Sequence, residues 1–365
     1  MSDQAAGERV GRAAGAASGE TADMAAYERS GHMKKRVVVV CDNTMGIPGG
    51  EIDDGLAILY LLGRPDDVEI EAICTTHGND TTANTFRATC ELIGDLGLSG
   101  QVPVLRGADA GLGGDSEGGL EGDLEGAGLS DAARFLVDAP CGLSLLSLGA
   151  TTDLAAAERF APGTLARYDE VCAMGGVTRT LIVGGKIMDE LNLSVDAGAT
   201  YTVLSAACAT ARPGARLSAD APGVSGPRTS ANILIADAHD CLPATFGMRE
   251  FFDRLGRPGM PGAEMLDRLC RPWMEHAARA WNVEGFVGWD VLAAVAVAQP
   301  ELVSLRSYDV LLNERMLRVG LLEGASAADV PPELVAPIRL VSIPDPARLI
   351  EEVYRAWERA LTRLF

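Results

Sequence analysis

Basic residues are scarce in this chain. The 365 residues include 31 Lys and Arg against 51 Asp and Glu, giving a formal net charge of −20, and no local cluster of Lys or Arg offsets this balance. Such a field repels a polyanion, because binding to a phosphate backbone depends on concentrated positive charge. Nucleic acid is therefore not an expected partner.

The chain also lacks any apolar run that approaches the roughly 18 residues needed to cross a bilayer. Its first residues contain no signal-peptide apolar core. Eight cysteines are scattered without CxxC spacing, and several lie in apolar runs, where Cys behaves as a small hydrophobe. We interpret them as reduced thiols, which are typical of a cytosolic protein. The expected location is cytoplasmic, with no membrane partner.

The N-terminal composition differs from that of the rest of the chain. Residues 1–32 are rich in Ala, Gly and Glu, which predicts a flexible extension. Met33-Lys34-Lys35-Arg36 resembles a natural start, and residues 33–365 are predicted to form the folded domain. With 47% hydrophobic residues, this length can bury one large α/β core or two smaller ones.

Short apolar strands alternate with amphipathic helices from residue 36 onward. The pattern predicts strands over 36–41, 68–74, 143–148 and 170–174, and helices over 54–62, 82–96 and 130–137. This alternation favours a mostly parallel central sheet with helices on both faces. Open parallel sheets bind ligands at the carboxyl ends of their strands, so the polar loops that follow these strands should face one crevice.

Two long connections interrupt this pattern. Residues 107–127 form an acidic, Gly-rich loop, which is either a lid or a solvated excursion, and residues 211–231 are rich in Pro, Gly and Ser. Beyond them, an apolar helix is predicted over 291–298, ending near Pro300. Asp290 is the predicted N-cap of that helix.

Three carboxylates lie near one end of the predicted sheet. Asp42 directly follows the first strand, and Asp53 and Asp54 begin the next helix after a Gly- and Pro-rich stretch. Concentrated negative charge is costly inside a protein unless a hard cation or a bound polyol satisfies it. The pattern therefore predicts a metal site. The alternative is that Asp53 and Asp54 only interact with the dipole of their helix.

Polar or Gly-rich segments recur along the chain at five places. They are Cys41-Asp42 with Asp53-Asp54-Gly55-Leu56-Ala57-Ile58, Thr76-His77-Gly78-Asn79, Gly149-Ala150-Thr151-Thr152-Asp153-Leu154, Met174-Gly175-Gly176 and Glu190-Leu191-Asn192-Leu193-Ser194-Val195-Asp196. In this order and spacing, the five segments resemble the inosine/uridine-preferring nucleoside hydrolase family, over most of the chain from about Lys34 to the C-terminus. The resemblance implies a single-domain α/β fold of the nucleoside-hydrolase type. It also implies assembly into a homodimer or homotetramer.

The same resemblance implies a calcium-dependent site. Ca²⁺ would be held by Asp42, Asp54, Asp290 and the backbone carbonyl of Thr152. Ribose would be contacted by Asp53, Asn79, Glu190 and Asn192, with Met174 near the sugar. The implied reaction is hydrolysis of the N-glycosidic bond of a purine or pyrimidine ribonucleoside to free base and ribose, as in nucleoside salvage. Asp42 would take the proton from a calcium-bound water as it attacks the anomeric carbon.

The chain departs from the family pattern at two places. Ten residues, 43 to 52, separate Asp42 from Asp53 where the usual motif has three, so this loop is longer by seven. An alternative alignment pairs Thr44 with the proton acceptor, but the strand up to Asp42 then no longer matches without a gap. The second departure is Trp289, where many members carry a His thought to protonate the leaving base.

The missing histidine leaves the leaving-group acid open. His77, His239 and His276 are candidates, although a structural role is more typical of a lone His. Trp289 directly precedes the expected ligand Asp290, so we expect it at the pocket, where it could stack on a nucleobase. The other interpretation of Trp289 is a core aromatic at a helix start.

Two other functions compete with hydrolysis. A haloacid-dehalogenase-like phosphatase also places an Asp after its first strand, but it requires a second Asp where this chain has Thr44. A calcium-dependent ribose- or nucleoside-binding protein without turnover is suggested by the missing His and the longer loop. A NAD-dependent dehydrogenase is disfavoured, because no GxGxxG follows the first strand.

Overall fold

A run of buried valines forms the centre of the fold. In the computed structural model, which describes residues 34–112, 128–208, 230–325 and 330–365, strand β1 spans Lys35–Cys41. Val37 to Val40 have no exposed surface. β-Branched residues favour strands, and a strand of a parallel sheet is apolar on both faces because both are covered.

The main sheet has eight strands in the order β11-β12-β8-β5-β4-β1-β2-β3. Their bounds are β1 as above, β2 Val68–Thr75, β3 Val104–Arg106, β4 Ser144–Ser147, β5 Glu170–Met174, β8 Ile233–Ala236, β11 Ser304–Leu311 and β12 Val335–Ser342. All neighbouring pairs are parallel except β11 with β12. The predicted mostly parallel sheet is confirmed, and the antiparallel edge strand was not predicted.

Two small antiparallel hairpins lie outside this sheet. One pairs β6 with β7, and the other pairs β9 with β10. Their bounds are β6 Leu181–Val183, β7 Lys186–Met188, β9 Thr245–Gly247 and β10 Gly285–Val287. Strands of three residues are too short to give a hydrophobic period, so the sequence did not indicate them.

Helices follow most strands. Their bounds are α1 Asp53–Leu62, α2 Thr82–Asp95, α3 Asp131–Asp138, α4 Thr152–Phe160, α5 Ala197–Ser205, α6 Ala238–Cys241, α7 Met248–Leu255, α8 Ala263–Trp281, α9 Trp289–Ala298, α10 Glu314–Leu317 and α11 Pro346–Leu364, with short 3₁₀ turns at Leu165–Arg167, Pro300–Leu302 and Pro332–Leu334. The predicted helices agree with α1, α2, α3 and α9 within two residues at each end. The N-cap prediction was wrong: Gly288 is the N-cap of α9, and Asp290 is its second residue.

Alternate residues of the central strands pack into two hydrophobic cores. Val37 and Val39 of β1 face the core built with α1, α9 and α11, whereas Val38 and Val40 face the core built with α3, α4 and α5. The predicted coverage of both faces by helices is therefore confirmed. The elements from Lys35 to Phe365 belong to one compact unit.

Several predicted segments lie outside the described residues. These are the N-terminal extension 1–32, most of the loop 107–127, and most of the connection 211–231. In the part of the chain that the structure describes, no helix is both long and apolar enough to span a bilayer. All eight cysteines are free, and six of them are buried.

Candidate metal and sugar site

The carboxyl ends of β1, β2, β4 and β5 meet at one edge of the sheet. Backbone hydrogen bonds join neighbouring strand ends there: Thr76 N donates to Cys41 O at 2.9 Å, and Leu148 N donates to Val40 O at 2.7 Å. The polar segments singled out in the sequence follow these four strand ends. Parallel pairing therefore brings residues that are far apart in sequence to a common crevice.

Three acidic side chains form a buried cluster in this crevice. Asp53 and Asp54 begin α1 and Asp290 lies in the first turn of α9, and each is at most 4% exposed. One carboxylate oxygen from each lies within 4.8 Å of the others, so the three could hold a metal ion. The start of both helices at the same place adds positive dipole ends, which favour negative charge.

Asp42 lies beside this cluster and is linked to it by Asn79. The backbone N of Asn79 donates to Asp42 Oδ2 at 2.7 Å. The Asn79 amide nitrogen lies 3.4 Å from Asp42 Oδ1 and 3.5 Å from Asp54 Oδ2. Asp42 is not one of the three carboxylates that share the 4.8 Å cluster. Asn79 thus contacts both Asp42, the general base predicted from the sequence, and Asp54 of the cluster.

Two glycines hold Asp42 tightly in place. A Cβ on Gly78, whose φ is +150°, would lie 2.0 Å from Asp42 Oδ2. A Cβ on Gly149 would lie 2.9 Å from Asp42 Oδ1. Both glycines belong to segments that resemble the family. The structure gives a steric reason for them, because only a residue without a side chain lets these loops close around the Asp42 carboxylate.

Burial raises the pKa values of all four acids, and repulsion from neighbouring carboxylates adds to this for Asp42, Asp54 and Asp290. The pKa of Asp42 rises to about 7, mainly through burial and then through Asp53. The pKa of Asp53 rises to about 6, mainly through burial. Burial, followed by the neighbouring carboxylates, raises the pKa values of Asp54 and Asp290 well above their ordinary range. Among the described residues, no Lys or Arg forms an ion pair with any of the four, so their charge is uncompensated by the protein.

Thr152 is anchored by a second network. It is the first residue of α4, and its hydroxyl donates to Asp196 Oδ2 at 2.8 Å. His77 Nε2 lies 3.0 Å from the same hydroxyl oxygen. Asp196 also accepts from the backbone N of Leu112 and of Ala199. His77 therefore has a structural partner beside the site, and the sequence did not indicate Asp196 as part of it.

A cavity opens beside the acid cluster. Its walls include all six residues expected to contact the substrate, Asp53, Asn79, Met174, Glu190, Asn192 and Trp289, together with the expected metal ligand Asp290. Leu181 and Met188 of the β6–β7 hairpin and Glu51 of the longer loop complete the wall. No residue of the described chain that lines this cavity is a histidine. His239 lies next to Thr180 O, and His276 stacks on Trp273 with ring centroids 5.4 Å apart.

Glu190 and Asn192 organise the loop that they occupy. Glu190 Oε1 accepts from the backbone N of Gly176 and of Leu193, and Oε2 accepts from that of Ser194. The Asn192 amide donates to Leu148 O at 2.9 Å and lies 3.2 Å from Met174 Sδ. Both side chains thus fix the cavity wall, and their remaining oxygen lone pairs can still accept from a ligand.

Thr44, the alternative proton acceptor, does not line this cavity. Its hydroxyl donates to the backbone oxygen of Glu51 at 3.2 Å, and the side chain is 2% exposed. The loop geometry therefore supports the assignment of Asp42 over Thr44.

Comparisons with known proteins agree with this geometry. The family model described as "Inosine-uridine preferring nucleoside hydrolase" matches residues 39–331. A curated protein of that description from Crithidia fasciculata is 31% identical over 164 residues, which cover 40% of this chain and 49% of that protein. The chain thus matches about half the length of this relative.

Solved structures share the fold. A plant nucleoside hydrolase superposes with a TM-score of 0.68 at 19% identity, covering 89% of this chain and 99% of that one. A purine-preferring ribonucleoside hydrolase from Gardnerella vaginalis gives a TM-score of 0.66 at 18% identity, covering 90% and 100%. Since the family model spans most of the described domain, the chain belongs to the inosine-uridine preferring nucleoside hydrolase family.

Proposed function

We propose that this protein hydrolyses the N-glycosidic bond of ribonucleosides to free base and ribose. The observation that carries the proposal is the buried cluster of Asp53, Asp54 and Asp290, of which Asp53 and Asp290 line the cavity together with the residues expected to contact the sugar. Membership of the nucleoside hydrolase family supports it. The same membership gives no support to the phosphatase alternative.

The residues of the site fit a hard divalent cation, for which we propose Ca²⁺. Oδ1 of Asp54 is buried without any hydrogen-bond partner, and uncompensated carboxylates surround it. Calcium prefers oxygen ligands, and Asp42, Asp54, Asp290 and the Thr152 carbonyl would supply them. When bound, the cation would lower the pKa of a coordinated water and hold the ribose diol.

Asp42 is the proposed general base. It would accept the proton of the attacking water, and the 2.7 Å hydrogen bond from Asn79 N fixes the direction in which its carboxylate points. Positive charge develops on the ribose ring as the base departs. The carboxylate of Asp53 and the amide oxygens of Asn79 and Asn192 would therefore stabilise the transition state more than the neutral substrate.

The remaining sugar contacts follow from the cavity wall. Glu190 and Asn192 would hydrogen-bond ribose hydroxyls, and Met174 would pack against the sugar ring. Trp289, which lies at the cavity wall beside Asp290, would contact the nucleobase.

A panel of ribonucleosides tests the proposal. We expect release of free base and of an equal amount of ribose from at least one purine or pyrimidine ribonucleoside, measured by chromatography and by a reducing-sugar assay. Binding without turnover is the competing function, since no histidine lines the cavity at Trp289. Saturable nucleoside binding with no base release after prolonged incubation would establish that alternative and overturn ours.

Acidic pH should stabilise the metal-free protein relative to neutral pH. An acid with a raised pKa in the folded state holds its proton more tightly there, so unfolding releases protons and stability falls as pH rises. For Asp42 and Asp53 this window runs from their unfolded pKa, about 4, to folded pKa values of about 7 and about 6. A cation binds the deprotonated acids, so its stabilising effect should grow over the same window.

Thermal unfolding between pH 5 and pH 8, with chelator and with Ca²⁺, measures both trends. The Asp42→Asn variant is the matched control, because it lacks one of the titrating groups and should show a shallower fall in the metal-free state. A Ca²⁺-induced increase in Tm that is the same at every pH would contradict the linkage.

We further propose that the protein is cytoplasmic, that it forms a homodimer or homotetramer, and that residues 33–365 are one domain preceded by a flexible extension. Light scattering on the purified protein tests the assembly. Limited proteolysis confined to residues 1–32 would support the domain boundary.

A further inference from the structure

A second cavity adjoins the sugar cavity. The two share Glu51, Asp53, Met188 and Trp289 in their walls. The second cavity is lined mainly by aromatic and aliphatic side chains, including Trp273, Trp281, Phe286 and Trp289. Asp53 and Glu51 are its polar side chains, and Asp53 belongs to the acid cluster. A flat apolar group attached to a bound sugar would extend into this space.

Two elements joined to each other form one side of this aromatic cavity. Helix α8 supplies Trp273 and Trp281, and the β6–β7 hairpin supplies Val183 and Met188. The hairpin is fastened to the end of α8, because Asn282 Nδ2 donates to Gly184 O at 3.2 Å. A Cβ on Gly184 would lie 1.5 Å from Trp281 O, so the two backbones are in close contact. Contacts within the chain therefore form this side of the aromatic cavity without a bound ligand.

Glu51 is placed at the junction by the longer loop. Two successive turns close the loop, with Ile47 N donating to Thr44 O and Gly50 N donating to Ile47 O, each at 2.9 Å. The Thr44 hydroxyl then holds Glu51 O at 3.2 Å. Among the described residues, none donates a hydrogen bond to the Glu51 carboxylate or forms an ion pair with it. This side chain is half-buried, lines both cavities, and lies outside the 4.8 Å carboxylate cluster.

We propose that Glu51 is a specificity-determining residue that accepts a hydrogen bond from an N–H group on the six-membered ring of a purine base held in the aromatic cavity. This inference rests on the proposed function. The aromatic walls favour a bicyclic base, because a larger ring system buries more surface and stacks over more area. An acceptor at the junction of the two cavities selects a base that presents a donor, since a polar group left without its partner costs binding energy.

A comparison of two substrates with the Glu51 variants tests the contact. Inosine carries an N1–H, whereas the unsubstituted purine riboside has no N–H on its six-membered ring. We expect E51A to lower kcat/KM for inosine by about 10- to 100-fold, the cost of leaving the N1–H of the bound base without its hydrogen-bond partner. The loss for the unsubstituted purine riboside should be much smaller. E51Q, which keeps an acceptor oxygen, should retain more activity on inosine than E51A.

An equal loss on both ribosides would overturn the inference, because it would mean that Glu51 supports the loop or the cation site instead. The two proposals fail separately. If the wild-type protein releases no base from these two ribosides or from any other ribonucleoside of the panel, the proposed hydrolysis is wrong, and calorimetric titration of the two ribosides still measures the contact. A preference for inosine that E51A removes would then support the role of Glu51, and equal affinities in the wild-type protein would overturn it.

Discussion

Replacement of Asp42 by Asn is expected to lower kcat by about 10²- to 10⁴-fold, the usual contribution of a general base. Asn keeps the size of the side chain, so the packing of Gly78 and Gly149 against it is preserved. It also keeps an oxygen that can accept the hydrogen bond from Asn79 N. What it loses is the ability to take up a proton, together with one negative charge beside the cation site.

The surface variant Asp66→Asn is a matched control for this substitution, since it makes the same chemical change at an exposed position on a loop. It should retain wild-type kcat and KM. Thermal unfolding of Asp42→Asn should show a folded protein, because the substitution removes a buried acid whose charge is uncompensated when metal is absent. Full activity in Asp42→Asn would show that another group accepts the proton.

The central part of the fold was predictable because its strands and helices show a clear hydrophobic periodicity and are separated by clear turn residues such as Gly and Pro. The valines of β1 fit a strand that is buried on both faces of the sheet, and the apolar repeat of α1 fits a helix that buries one face against it. An α/β protein offers each element only one such location. The β6–β7 hairpin was missed because three-residue strands carry no period. The antiparallel strand β11 was missed because it lies at an exposed edge, where its pattern is mostly polar.

Topology and resemblance contributed differently to the prediction of the site. Asp42 could be placed from topology, since parallel strands end at the same edge, whereas Asn79 and Met174 were expected at the sugar only from the resemblance to the family. Glu51, Trp273 and Trp281 could be placed by neither, because a loop of turns and a helix distant in sequence bring them to the cavity. Tertiary structure also explains why the predicted N-cap at Asp290 was wrong. The Asp290 side chain faces the acid cluster, so it does not cap its own helix.

The histidine question is also one of tertiary structure. His77 lies in a matching segment, but its ring reaches the Thr152 hydroxyl, and the lining of neither cavity includes it. In the proposed reaction, a leaving base would therefore meet Trp289 and Glu51 in the described cavities rather than an imidazole.

Removal of divalent cations is expected to lower activity by at least about 10³-fold, because the cation would supply several kcal/mol of catalysis. Four acids with raised pKa values surround the site, and Oδ1 of Asp54 has no protein partner, so little in the chain replaces the missing charge. Assay of kcat after dialysis against a chelator, and again after addition of Ca²⁺, measures this effect.

Two variants and one competing ion sharpen the metal test. Asp290→Asn should weaken the Ca²⁺ dependence, raising the concentration needed for half-maximal activity, whereas Asp66→Asn should not change it. Mg²⁺ should restore less activity than Ca²⁺, because it requires a smaller octahedral site and releases its waters reluctantly, while the predicted ligands mix carboxylates with a backbone carbonyl. Undiminished turnover in the chelated protein would mean that the buried acids act without a cation. The raised pKa values would then explain how the acids are tolerated without a cation, because protonated carboxyls need no counter-charge. Such carboxyls could donate protons in the reaction instead.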